Sequence, residues 1–238
     1  MGSDADPGTP VGRRVVLGML GLGAAGIVWG SRLADAFNRA LAPIAAMDRT
    51  GLTGLLPAGR FRIYSVVGFL PRREPADYRL RVTGLVERPL ELTLADLVAM
   101  RPTRLVRDFQ CVTGWRVPDV AWTGVAVSDL LDAAGVAPPG RALAFRSFDG
   151  VYAESLTLDQ ARRPDVVVAY EMEGEPVSRA HGGPARLYVA PMYGYKSLKW
   201  LEEIEVTADV EEGYWEQRGY DADAWIGRSN GRRDEPVG

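Results

Sequence analysis

The 238-residue chain contains a single histidine, His181, and a single cysteine, Cys111. One histidine cannot supply the several imidazole ligands of a multi-histidine zinc site. One cysteine cannot form a disulfide bond within the chain, so its thiol is either a small core side chain or a reactive or metal-binding group. The sequence also lacks a G-x-S-x-G segment and a Walker A phosphate-binding loop, which argues against the common hydrolases and nucleoside triphosphatases.

The chain also lacks a strong excess of charge of either sign. Its 28 lysines and arginines face 31 aspartates and glutamates, for a formal net charge of −3. Without a basic excess, nucleic acid is not expected as a partner, and an anionic ligand would have to meet a local cluster of positive charge. The hydrophobic content of 47% is that of an ordinary globular protein.

Residues 1–32 have the pattern of a twin-arginine-type signal or a membrane anchor. Arg13-Arg14 precede an uncharged run from Val15 to Ser31, which is about the minimum length for a bilayer span. No small-x-small cleavage site follows directly, which favours an anchor over a released protein. We therefore expect an exported protein, at the outer face of the cytoplasmic membrane or in the periplasm. Residues 33–60 have helical apolar spacing and would form a connector.

Residues 61–220 are predicted to form one α+β domain with mixed or antiparallel sheets and short helices, and residues 221–238 to form a polar tail. Thr93 and Asp96 have capping-box spacing for a helix through Met100, and Gly135 would close a helix over Ser128–Ala134. Alternating or continuous apolar residues predict strands at Tyr78–Thr83, Arg104–Gln110, Ala142–Ser147, Val151–Ser155, Val166–Met172, Arg186–Ala190 and Ile204–Thr207. Turns are expected at 149–150 and 173–176.

Cys111 follows directly on a predicted strand and precedes a loop that contains Gly114. At such a place a side chain can leave the core and enter a cleft. A soft thiolate suits a soft or high-valent transition metal, and coordination would keep it deprotonated. The spacing alone leaves both roles open for Cys111, the inert core thiol and the metal ligand.

A second cluster, from Ser178 to Trp200, combines cationic and hydroxyl side chains with two glycine-containing loops. Arginine supplies a fork of donors for phosphate, lysine supplies a compact positive charge, and glycine lets the backbone approach an anion. This composition suits a phosphorylated cofactor, and a solvated cationic loop is the alternative. The residues concerned are His181, Arg186, Lys196, Ser197 and Lys199.

Three segments together resemble the molybdopterin domain of the sulfite oxidase family. They are the segment around Cys111, the block Val166–Trp200 and the segment Tyr214–Tyr220. The middle block is the most specific, because it contains R-x-H-G-x-P-x-R at 179–186 and G-x-K-S-x-K-W at 194–200. The resemblance implies that family's fold, a molybdenum ion bound by one molybdopterin, and an oxidoreductase that transfers an oxygen atom to or from a small, sulfur-containing substrate.

The same resemblance assigns roles to individual residues. Cys111 would ligate the molybdenum. The pterin and its phosphate would be held by His181, Arg186, Lys196, Ser197 and Lys199. Tyr64 and Ser65 would make further cofactor contacts, with a core or strand role as the alternative. Asp149 would contact the pterin or, equally, form the turn before Gly150.

Two residues are implied in handling the substrate. Tyr220 occupies the place of an active-site tyrosine of sulfite oxidases, where a phenol could hydrogen-bond a substrate oxygen or relay a proton; a packing role is the alternative. Arg116, five residues after the cysteine, matches a substrate-binding arginine and could attract an oxyanion. A surface arginine is its alternative role.

In layout the chain is most similar to exported bacterial members of the family such as the catalytic subunit of the periplasmic methionine sulfoxide reductase. That similarity implies a small oxyanion or sulfoxide-type substrate and a separate haem protein as the electron partner. It leaves the direction of the reaction open. A non-catalytic electron-transfer or cofactor-binding subunit of a membrane redox complex is the alternative function.

Overall fold

A computed structural model describes residues 61–229. The predicted signal or anchor, the connector and the end of the tail lie outside these residues. The described part has ten strands and three short α-helices: β1 Arg79–Gly84, β2 Leu90–Thr93, α1 Leu94–Ala99, β3 Thr103–Gln110, β4 Arg116–Ala126, α2 Val127–Ala134, β5 Ala142–Ser147, β6 Ala153–Thr157, α3 Leu158–Ala161, β7 Val166–Met172, β8 Glu175–Pro176, β9 Arg186–Val189 and β10 Leu201–Thr207. The predicted α+β class is confirmed. Within residues 61–229, no helix combines the length and the apolar character that crossing a membrane requires.

The strands form two five-stranded sheets. The first has the order β2-β1-β10-β5-β6, in which β1 and β10 run parallel and the other neighbours are antiparallel. The second has the order β3-β4-β7-β8, and β9 also pairs with β7. The two sheets are therefore mixed and antiparallel respectively, as predicted.

The buried hydrophobic residues form two clusters, and strand β7 contributes side chains to both. Its first five residues are all buried, because successive side chains point to opposite faces and both faces are covered. Val166 and Val168 join the larger cluster, which also contains residues of β1, β5 and β10. Val167 and Ala169 join a smaller cluster with Trp122. The continuous apolar run is thus a buried strand, as the sequence predicted.

The predicted helix ends are also confirmed. Thr93 and Asp96 form a complete capping box at the start of α1, which satisfies backbone N–H groups that have no partner within the helix. Gly135 ends α2 with φ +71°, a backbone conformation that glycine adopts without steric cost.

Strand β4, from Arg116 to Ala126, has no counterpart in the predicted elements. Pro118 and Asp119, whose φ is +53°, interrupt the apolar alternation, and the pairing with β3 has an irregularity between Arg107 and Phe109. Gly124 lets β4 approach β7 closely, since a Cβ there would lie 2.2 Å from the Val168 carbonyl oxygen. Long-range pairing therefore makes this strand despite its local sequence.

Candidate active site

A cavity of about 240 Å³ opens where the loop after β3 meets the segment 180–200. Its wall also includes residues 61–66, the turn between β5 and β6, and two aromatic residues of the C-terminal segment. Nine of the predicted site residues line it: Tyr64, Ser65, Cys111, Asp149, His181, Arg186, Ser197, Lys199 and Tyr220. The fold thus brings together residues from five separated parts of the chain.

Cys111 is a free, partly buried thiol on the loop that joins β3 to β4. The loop is closed by a hydrogen bond from the Cys111 N–H to the Trp115 carbonyl oxygen at 2.9 Å, and by one from the Gly114 N–H to the Cys111 carbonyl oxygen at 3.0 Å. The Thr113 hydroxyl donates to Cys111 Sγ at 3.3 Å. The tight loop therefore holds the sulfur at the cavity wall and gives it a hydrogen-bond donor.

One side of the cavity is aromatic. The Phe61 ring lies 5.2 Å from the Phe109 ring and 6.3 Å from the Trp115 ring, and it meets the His181 ring edge-on at 4.8 Å. Such contacts are the preferred geometry of aromatic pairs. This wall makes one face of the space beside Cys111 apolar.

Arg186 supplies a buried positive charge at the start of β9, with 3% of its surface exposed. It donates from Nη1 to the His181 carbonyl oxygen and from Nη2 to that of Ser197, both at 2.7 Å. A third bond runs from Nε to the Leu187 carbonyl oxygen at 3.3 Å. Burial lowers its pKa to about 10, so the guanidinium is still charged at neutral pH. Two of its five N–H groups are not used in these three bonds.

Lys199 adds positive charge at the same wall, and His181 lies beside it. Burial and, next, the charge of Arg186 lower the pKa of Lys199 to about 8, while Asp149 opposes the shift. Burial also lowers the pKa of His181, followed by the charges of Arg186 and Lys199. A bound anion would reduce the repulsion between positive groups that lower one another's pKa. The wall is therefore suited to a phosphate or another anionic group.

Asp149 and Trp115 carry buried polar atoms that face no partner among the described residues. Asp149 forms the predicted turn, because its Oδ1 accepts from the N–H groups of Val151 and Tyr152, both at 2.8 Å. Its Oδ2 and the Nε1 of Trp115 are buried and unbonded within residues 61–229. Buried polar atoms of this kind usually have a partner, and both residues line the cavity. A pterin offers N–H donors and ring acceptors that fit them.

Two predicted site residues, Lys196 and Arg116, are not among the residues that line the cavity. Lys196 has 1% of its side chain exposed, and its Nζ lies 2.6 Å from both Glu154 Oε2 and Glu216 Oε1. Arg116 lies at the start of β4 and pairs with Asp108 at 3.1 Å. The geometry therefore gives no support to the predicted cofactor contact of Lys196 or the predicted substrate contact of Arg116. The sequence does not reveal that these carboxylates pair with Lys196 and Arg116.

Tyr220 lies in an aromatic group with Trp215 and Tyr195, at ring distances of 5.1 and 5.5 Å. Trp215, Tyr152 and Thr113 were not predicted as site residues, although all three line the cavity. Trp215 could have been found from its place within the Tyr214–Tyr220 motif, and Thr113 from its closeness to the cysteine. For Tyr152 the sequence holds no signal, because only the fold brings it to the site.

Comparison with known proteins connects this geometry to a family. Residues 67–215 match the family model described as an oxidoreductase molybdopterin binding domain, which is more than half of the chain. An uncharacterised oxidoreductase, YuiH, of Bacillus subtilis is 34% identical over 60% of this chain and 72% of its own length. The sulfite oxidase of Arabidopsis thaliana is 30% identical over 60% of this chain and 45% of its own.

Among solved structures, the sulfane dehydrogenase SoxCD from Paracoccus pantotrophus superposes with a TM-score of 0.59 and 27% identity. The match covers 63% of this chain and 43% of that one. The chain thus spans less than half the length of these two characterised relatives. What the family has in common is a domain that binds molybdenum in molybdopterin and catalyses redox reactions, and the cavity has side chains that fit this cofactor. The chain belongs to the sulfite oxidase family of molybdopterin-dependent oxidoreductases.

Proposed function

We propose that this protein transfers an oxygen atom to or from a small sulfur-containing substrate, at a molybdenum ion that Cys111 ligates. The observation that carries the proposal is the position of Cys111. The one thiol of the chain lines the same cavity as Arg186, Lys199 and Asp149. A thiolate for the metal and cations for the phosphate are the donor set that this cofactor needs.

The cofactor, when bound, supplies the two-electron chemistry, and the protein supplies orientation and charge. Arg186 and Lys199 would offset the negative charge of the phosphate. Ser197 Oγ accepts a hydrogen bond from the Val189 N–H at 3.0 Å, which leaves its own hydroxyl proton to donate to the cofactor. Asp149 Oδ2 would accept from a pterin N–H group. Each of these groups acts by binding and positioning.

Tyr220 would act on the substrate side. Its ring lines the cavity, and the Trp215 and Tyr195 rings hold it from two sides. A phenol at this wall can donate a hydrogen bond to a substrate oxygen or pass a proton to it. Tyr220→Phe removes only the hydroxyl. We expect kcat to fall by about 10²-fold with unchanged molybdenum content, and unchanged turnover would remove Tyr220 from this role.

We propose a neutral sulfur compound, such as a sulfoxide, as the substrate, and not a sulfite-like dianion. The surface near Cys111 is largely aromatic, with Phe61, Phe109 and Trp115, and apolar walls bind apolar substituents. Arg116, which would attract an oxyanion, pairs with Asp108 at 3.1 Å. A steady-state comparison of sulfite oxidation with reduction of a dialkyl sulfoxide tests this. A higher kcat/KM for sulfite would reverse the assignment.

The test of the metal site is elemental analysis for molybdenum together with X-ray absorption at its edge. Wild-type protein and Cys111→Ser would be produced in a host that makes the cofactor. We expect about one molybdenum per chain in the wild type, with a thiolate contribution that disappears in Cys111→Ser while the pterin is retained. An unchanged sulfur shell in the variant would refute ligation by Cys111.

Export and electron supply are further parts of the proposal. The Arg13-Arg14 pair before the apolar run Val15–Ser31 supports export after folding, which a cofactor buried in a folded domain requires. Electrons would then be exchanged with a separate haem protein at the membrane. Replacing Arg13 and Arg14 by lysines should retain the protein in the cytoplasm, as measured by cell fractionation. Normal export of that variant would refute the twin-arginine assignment.

A further inference from the structure

Behind the cavity wall lies a buried group of three charged side chains, Lys196, Glu154 and Glu216, referred to here as the buried triad. Lys196 Nζ lies 2.6 Å from one oxygen of each carboxylate. The exposed fractions of the three side chains are 1%, 0% and 4%. Charges are expensive to bury, and none of these residues lines the cavity. The proposed chemistry therefore leaves the triad unexplained.

The triad contains more negative groups than positive ones. Glu154 Oε1 and Glu216 Oε2 are buried without a hydrogen-bond partner in the described part of the chain. Burial is the main cause that raises the pKa of Glu154 to about 8, the carboxylate of Glu216 adds to it, and Lys196 opposes it. The groups facing Glu154 are thus Lys196 and Glu216, with Tyr152 nearby. Glu154 therefore takes up a proton more readily than an exposed glutamate does.

The members of the triad belong to three different parts of the fold. Glu154 is on β6, and Lys196 ends the short helical turn Gly194–Lys196. Glu216 begins another such turn, Glu216–Arg218, within residues 213–221, here called the wall segment. The wall segment carries Trp215 and Tyr220, both of which line the cavity. The triad therefore connects a sheet strand, a cavity loop and the part of the chain that bears the proposed substrate contact.

Two hydrogen bonds attach the wall segment to its surroundings near its ends. The Tyr214 N–H donates to the Ala153 carbonyl oxygen at 2.9 Å, near one end. The Tyr195 hydroxyl donates to the Asp221 carbonyl oxygen at 2.6 Å, at the other end. Between these two points the Glu216 side chain adds an ion pair to Lys196 in the interior, beside ring contacts of Tyr214 with Tyr152 and of Tyr220 with Tyr195. Within the segment, the N–H groups of Arg218 and Tyr220 both donate to the Trp215 carbonyl oxygen, which ties Trp215 to the turn that follows it.

We infer that the buried triad positions the wall segment, so that Lys196 is a positioning residue for Trp215 and Tyr220 and not a cofactor contact. The Lys196 ammonium holds the Glu216 carboxylate in the interior, and the backbone of the wall segment follows it. Glu154 is the other acidic partner of Lys196, and only the Lys196–Glu216 pair reaches the wall segment. The effect on turnover rests on the proposed function, whereas the effect on the wall segment does not.

The test compares three variants of the full chain, each loaded with cofactor. Glu216→Ala removes the attachment of the wall segment, and Glu216→Gln keeps an oxygen that can accept from Lys196. Glu154→Ala is the matched control, because it removes one carboxylate from the same buried triad but leaves Lys196 bonded to Glu216. Hydrogen exchange of the amides at 217–220 measures the order of the wall segment, and kcat and KM measure its consequence.

For Glu216→Ala we expect exchange in the wall segment to be at least about tenfold faster, while β5 and β10 keep their protection. Glu216→Gln should restore most of the protection, and Glu154→Ala should change it about twofold or less. Equal exchange in Glu216→Ala and Glu154→Ala would overturn the inference, since the triad would then contribute only general stability. So would unchanged protection in Glu216→Ala.

Kinetics separate the two proposals. If sulfur substrates are turned over, the slower kcat of Glu216→Ala should accompany the faster exchange, with Glu216→Gln recovering both. If no variant and no wild-type preparation turns over such substrates, the proposed function fails. The exchange pattern would still decide whether the triad positions the wall segment.

Discussion

Lys196→Met tests how much the buried Lys196 ammonium contributes to the free energy of unfolding. Methionine has nearly the length of lysine but no charge, so the change removes the ammonium and leaves Glu154 and Glu216 buried. Breaking a buried ion pair by removing one partner typically costs about 3–5 kcal/mol of unfolding free energy. We expect a loss in this range at pH 8, because two carboxylates that were 0% and 4% exposed lose their cation.

The loss should depend on pH, and its direction follows from the pKa of Glu154. In the folded wild type this pKa is raised from 4.5 to about 8. Lys196 is the group that opposes the shift, so its removal raises the pKa further. A folded-state pKa above the unfolded value means that stability is retained at acidic pH and lost as the pH rises through the folded pKa. Lys196→Met should therefore be less destabilised at pH 5 than at pH 8.

Urea denaturation at the two pH values, followed by far-UV circular dichroism, measures both effects. Arg72→Met is the matched control, because the Arg72–Glu74 pair is 72% and 54% exposed and such surface pairs contribute little. A loss below about 1 kcal/mol at pH 8 for Lys196→Met, or a loss that is larger at pH 5, would contradict the burial argument.

Three further predictions follow from other sites. Glu154→Gln should flatten the pH dependence of the wild-type unfolding free energy between pH 5 and 8, because the carboxyl whose stabilisation is lost as the pH rises is gone; a curve parallel to wild type would show that another group titrates. Gly124→Ala should destabilise the domain by about 1–3 kcal/mol, since its Cβ would meet the Val168 carbonyl oxygen at 2.2 Å; a melting temperature equal to wild type would show that β4 and β7 can separate there. Thr113→Val removes the 3.3 Å hydrogen bond to Cys111 Sγ and should lower the reduction potential of the bound metal, as measured by redox titration; an unchanged potential would remove Thr113 from this role.

The sequence predicted most of the sheet framework because local pattern and burial agree there. The run Val166–Met172 is apolar because both of its faces are covered, and a run of that length with flanking turns indicates a strand. The α1 cap was predicted because Thr93 and Asp96 interact across three residues. Contacts between residues that are close in sequence can be predicted, because both partners lie within one local pattern.

Features that depend on distant pairing were not predictable in the same way. Strand β4 exists because β3 and β7 pair with it on both sides, despite Pro118 and Asp119. The predicted strand at Val151–Ser155 begins instead at Ala153, because Asp149 Oδ1 takes the N–H groups of Val151 and Tyr152 into the turn. Side-chain bonding across the turn therefore set the strand boundary.

In the candidate site, too, some residues were predicted correctly from sequence motifs, whereas others depend on contacts between distant parts of the chain. Residues from five parts of the chain were expected at one cofactor, and the cavity does bring most of them together. Lys196 and Arg116 differ because each has an acidic partner, which the sequence does not reveal: Glu154 and Glu216 for the first, Asp108 for the second. A motif can show that a lysine or arginine is present near the site. Whether its charge faces the cavity depends on the carboxylate with which it pairs.

The parallel pairing of β1 with β10 places Arg81 opposite Glu203. During synthesis, strand β1 leaves the ribosome on the order of 10 s before its partner, at about 5–20 residues per second. Until then the β1 edge that β10 will cover is unpaired, and pairing over such a separation is slow. The first sheet can close only when nearly the whole domain has been made. A chain that stalls before residue 201 would therefore present an open sheet edge to chaperones and to other chains.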